Sequence, residues 1–73
     1  MTTQEIRQVG LDNGLPDDYC LRGTKRNQAH QICSFFEKIS GFIGLMRNFA
    51  DEPDYIEAKN KRDKVRALLA NEL

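Results

Sequence analysis

The sequence predicts an all-α fold: an antiparallel helical hairpin over residues 25–50 and 53–72, with a short N-terminal helix and a loop packed on it. Three observations predict it. Apolar residues recur at alternating steps of three and four from Ala29 to Ala50, the spacing of one helix face. The run Asp51-Glu52-Pro53-Asp54 combines a cap, a first-turn proline and acids suited to a helix N-terminus. The link between the two helical segments is short, which favours antiparallel neighbours.

The elements follow in order. Thr2-Thr3-Gln4-Glu5 is a capping box, with Thr2 as N-cap and Glu5 three residues on. A helix over 3–9 follows, presenting Ile6 and Val9 and ending at Gly10, since glycine is the usual residue past a helix end. Residues 10–18 are turn chemistry. Asn13-Gly14 is also a hairpin signal, but its flanks do not alternate as strands do. Tyr19, Cys20 and Leu21 are expected to make one helical turn closed by Gly23.

Thr24 is the expected N-cap of the main helix. The seam Ala29, Ile32, Phe36, Ile39, Ile43, Met46, Ala50 repeats in heptads. Phe35, Phe42 and Phe49 make a second stripe on its flank, and Cys33 and Leu45 widen the other side. Gly41 and Gly44 weaken a helix interior, so close approach of another backbone, or a kink at Gly41, is their expected use. The last helix offers Tyr55, Ala58, Val65, Leu68, Leu69 and Leu73 to the core, and its centre from Lys59 to Lys64 is almost all charge.

At 73 residues the chain makes one domain, with 1–23 as N-terminal segment and loop and 24–73 as the hairpin. A chain this short has little core, and a single core of this size rarely supplies more than ~3–5 kcal/mol. Self-association or a partner is a usual supplement. The apolar face of the main helix is broader than one packing contact needs. Either the helix is central to the fold, or part of the face is an interface, with a homodimer as one use of it.

The sequence argues against catalysis. His30 is the only histidine, and His30 with Cys33 at i, i+3 falls short of the four ligands of a structural zinc site even if Cys20 is added. No phosphate-binding glycine loop is present: Arg22-Gly23-Thr24-Lys25 lacks the required spacing. No enzyme activity, metal or cofactor is expected. No apolar run is long enough to span a bilayer and the first residues lack a signal-peptide pattern, so the expectation is a cytoplasmic protein with Cys20 and Cys33 as free thiols rather than a bridge.

Function then falls to surfaces. Acidic and basic residues balance at 11 each, but Arg22, Lys25, Arg26, Lys38 and Arg47 stand against Glu37 alone in residues 22–47. Basic residues at a helix N-terminus oppose the helix dipole; a locally unfavourable choice can mark a functional position, the alternative being ordinary solvated charge paired with Asp17 and Asp18. The expected contact residues are Ile6, Arg7 and Val9 of the N-terminal segment, the Arg22, Lys25 and Arg26 cluster, and Phe35, Phe42 and Phe49. The expected role is a small non-enzymatic regulator or inhibitor that binds a larger protein machine, with transcription machinery as the target class. The alternative is a nucleic-acid, nucleotide or anion binder using residues 22–27, because free helix N–H groups and cations suit phosphate. Zero net charge weighs against it. In size and composition the chain is similar to the very small regulators of bacteria and their phages; no motif ties it to a family.

Overall fold

The computed structural model describes residues 1–47 and 53–73, with side-chain surroundings for 1–41 and 56–73. It is helical: α1 (Thr3–Asp12), α2 (Lys25–Arg47), α3 (Pro53–Leu68) and a terminal 3-10 turn (Ala70–Glu72), with no strand among the described residues. No described helix is long and apolar enough to cross a membrane.

The start of α1 follows from its first residues. The Glu5 N–H donates to Thr2 Oγ1 at 3.1 Å and the Thr2 N–H donates to Glu5 Oε1 at 2.9 Å, so two otherwise unpaired donors are satisfied reciprocally. The Thr2 N–H, and after it the Thr2 hydroxyl, hold the Glu5 carboxyl below its ordinary range.

The end of α1 corrects the expected boundary. The helix does not stop at Gly10; it runs to Asp12 and is capped at Asn13. Gly14 has φ +112°, the Leu15 N–H donates to Gly10 O at 2.8 Å, and the Gly14 N–H donates to Leu11 O at 3.2 Å. That pair of crossed bonds past a glycine is the Schellman ending. The asparagine amide adds a bond to Val9 O at 2.8 Å. Gly10 is instead buried inside the helix, where a Cβ would lie 2.9 Å from Leu15 Cδ2 and 3.4 Å from Ile32 Cδ1. Its lack of a side chain lets α1, the returning loop and α2 come together.

Residues 19–22 form no helical turn; a single turn at Pro16–Tyr19 is followed by irregular chain. Two bonds from the Arg7 guanidinium, to Tyr19 O at 3.0 Å and Asp17 O at 2.5 Å, occupy carbonyls that a helix here would need. The start of α2 is as expected, with the Asn27 N–H on Thr24 Oγ1 at 3.2 Å.

One core joins the elements: Ile6, Leu15, Ala29, Ile32, Cys33, Phe36, Val65 and Leu69. The most extensive packing is between α2 and α3, with α1 lying mainly on α2, and an Arg66–Glu37 ion pair links α3 to α2. The buried stripe of α2 departs from the heptad seam. Ser40 is 2% exposed and Ile39 is 37% exposed. At about 100° per residue Ser40 lies roughly 20° around the helix from Ala29 and Ile39 roughly 80° from it on the other side, so the packed stripe is centred on Ala29, Cys33, Phe36 and Ser40. The Ser40 hydroxyl meets its burial by donating to Glu37 O at 3.0 Å. Leu68, expected in the core, is 46% exposed, because Val65 and Leu69 already occupy the inward positions of that turn. Among the described residues nothing lies within 4 Å of where a Cβ at Gly41 would stand, so none of them makes the expected close backbone approach there. The expected roles of Phe42, Ile43, Gly44, Leu45, Met46, Phe49, Ala50, Asp51, Glu52 and Tyr55 lie outside the residues whose surroundings are described.

Candidate partner-binding surface

The expected contact residues separate into three environments. Ile6 is fully buried, so it belongs to the core and does not face a partner in this conformation. Val9 is half-buried against that core. Arg7, also half-buried, spends its guanidinium on the backbone of the following loop. Phe35 packs on the core, edge to face with Tyr19 at 5.2 Å and Phe36 at 5.1 Å between ring centres. Such aromatic pairs supply structure without any external partner. Phe42 and Phe49 fall outside the described side chains.

Arg22, Lys25 and Arg26 differ: all three are exposed. Among the described residues none of them forms an ion pair, so Asp17 and Asp18 do not neutralise them. Lys25 lies near enough to Glu5 to favour its charged form, and the Arg22 Nε–H donates to the exposed Cys20 Sγ at 3.3 Å.

The segment carrying these cations is fixed. The Gln31 side-chain amide donates to Arg22 O at 2.6 Å and accepts from the Arg22 N–H at 3.2 Å, imitating the two-way pairing of a neighbouring strand. One helical turn earlier, the Gln28 amide donates to Gly23 O at 3.0 Å. Gly23 takes φ +91°, a conformation glycine adopts at no steric cost. Two glutamines thus latch the loop backbone at Arg22 and Gly23 to α2, whose first turn carries Lys25 and Arg26. The pair Gln28 and Gln31 stands at i, i+3 beside a glycine loop, a pattern that does not by itself distinguish a latch from two solvated glutamines.

The remaining chemistry is dispersed. His30 is exposed while Cys33 is buried, and burial pushes the Cys33 thiol above its ordinary value, the inert setting for a cysteine. Among the described residues no three His, Cys, Asp or Glu side chains converge on a point. Comparison with known proteins returned no match: no family model, no curated protein and no solved structure matches the chain.

Proposed function

We propose that this chain is a non-enzymatic binding module, a small cytoplasmic regulator or inhibitor that attaches to a larger protein machine through an acidic surface on the partner. Transcription machinery is the target class we favour. The observation that carries the reading is the basic segment: three exposed cations, none in an ion pair among the described residues, with Arg22 on a loop latched by Gln28 and Gln31 beside Lys25 and Arg26 in the first turn of α2. Ordering the contact segment in advance lowers the entropy that binding would otherwise cost. The scaffold in this proposal is an antiparallel hairpin of α2 and α3, supported by the Arg66–Glu37 link and the shared core of Ile32, Phe36, Val65 and Leu69.

The test is a pull-down from bacterial lysate with and without nuclease, comparing the natural chain with the Arg22→Ser, Lys25→Ser, Arg26→Ser triple variant. The expected outcome is a stoichiometric protein partner that survives nuclease and is lost with the variant, at unchanged helical content. A partner retained equally by the variant overturns the proposed surface. A second reading, binding of nucleic acid or another anion at this helix end, is favoured by one feature: the first turn of α2 carries no acidic residue. Its mark is steep loss of affinity with salt and loss of the captured material on nuclease treatment.

A further inference from the structure

The outward face of α3 is poorly explained by the monomer. Ile56 is 43% exposed, and with the exposed Asn60, Asp63, Lys64 and Ala67 it shares one side of the helix, opposite Val65 and Leu69. Glu57 and Lys59, also exposed, stand on its two edges. Beside this face, between it and the end of α1, runs an open groove of about 630 Å3 whose walls include Asp12, Ile56, Glu57, Asn60 and Lys64.

The charges on this face are complementary to their own reversal. Glu57 and Lys64 are equidistant from the midpoint between Asn60 and Lys61, and Lys59 and Asp63 are equidistant from Lys61. The two centres differ by half a residue, roughly 0.8 Å along the helix. Placing a second α3 antiparallel across this face therefore sets Glu57 opposite the other copy's Lys64, and Lys59 opposite the other copy's Asp63. Helical geometry puts Glu57 and Lys64 on one edge and Lys59 and Asp63 on the other, and a two-fold axis between the helices keeps each edge facing its own kind. Ile56 then meets Ala67, a large side chain against a small one, with Asn60 at the centre. Within one chain Glu57 reaches Lys61 at 3.5 Å and Asp63 reaches Arg62 at 3.1 Å. Among the described residues Lys59 and Lys64 form no ion pair.

We propose that this face is the interface of a two-fold symmetric homodimer, with α3 packed antiparallel on α3 of a second copy and the adjoining groove taking that copy's side chains. An isologous interface requires a self-complementary patch; a partner of different sequence would require no such symmetry. The proposal is independent of the basic segment and of what that segment binds.

The experiment is sedimentation equilibrium of the full chain from micromolar to millimolar concentration, with circular dichroism of each variant. A reversible monomer–dimer equilibrium is expected. Lys64→Glu sets like charges opposite one another at two places by symmetry, so the dimer dissociation constant should rise about tenfold or more. Adding Glu57→Lys to it restores opposite charges and should bring the constant back to near the natural value. Ile56→Asp should leave only monomer. All three positions are exposed, so helical content should not change. A monomer at every concentration overturns the proposal, as does a dimer indifferent to Lys64→Glu, or a double variant as weak as the single one.

Discussion

Gly10 and Gly41 show how differently one residue type acts inside two helices. At Gly10 an added methyl gains up to ~1 kcal/mol of helix propensity but presses on buried Leu15 and on Ile32, and overpacking costs ~1–3 kcal/mol. Gly10→Ala should therefore lower stability by about 1 kcal/mol, read as an earlier denaturant midpoint. Gly41→Ala meets none of the described residues and should raise stability by up to ~1 kcal/mol. The two cysteines contrast in the same way. Cys20 is exposed and Cys33 is buried with its thiol pushed up by that burial. A chromogenic thiol reagent should label one sulfur at once and the second only as fast as the protein opens; two fast thiols would show that the core around Cys33 is not closed.

At the scale of elements, ends and latches decide more than apolar stripes do. Glu5 is held below its ordinary range by the α1 capping box. Its contribution is complete above the ordinary carboxylate value and is lost as pH falls from there through the lowered folded value. Far-ultraviolet circular dichroism across that window should show α1 losing helix, and Glu5→Gln should remove that part of the transition. The latch on α2 gives a separable outcome. Gln31→Ala removes both bonds to Arg22 from a partly exposed site, so stability should change by no more than about 1 kcal/mol. Partner affinity should fall several-fold, because the backbone at Arg22 loses its fixed position beside Lys25 and Arg26. The signals within reach of a few residues were legible in the sequence: the capping box at Thr2, the cap at Thr24, and Pro53 in the first turn of α3. What was not legible needed a contact between distant residues. Choosing Gly14 over Gly10 as the end of α1 depends on Gly10 packing under Leu15 and Ile32, and choosing Ser40 over Ile39 for the core depends on which side of α2 the other helices cover. The basic cluster could be found from composition. Its latch could not, because glutamine is ordinarily a solvated helix residue.

On the scale of the whole molecule, the small core and the dimer make one connected argument. Among the described residues eight buried apolar side chains hold the helices together, and a single core in a chain of 73 residues rarely supplies more than ~3–5 kcal/mol. A second copy binding the folded chain and not the unfolded one adds RT ln(1 + [L]/Kd), with [L] the free monomer, about 2.7 kcal/mol when free monomer exceeds the dissociation constant a hundredfold. That is a large share of the total. The melting temperature should therefore climb with protein concentration in the natural chain and stay flat in Ile56→Asp, where the outward face of α3 can no longer pair. The two curves should meet at high dilution, since Ile56 is not among the buried core residues. Curves that remain apart at every dilution would mean that Ile56 supports the monomer itself, and would assign its exposed side chain a part in the core instead of the interface.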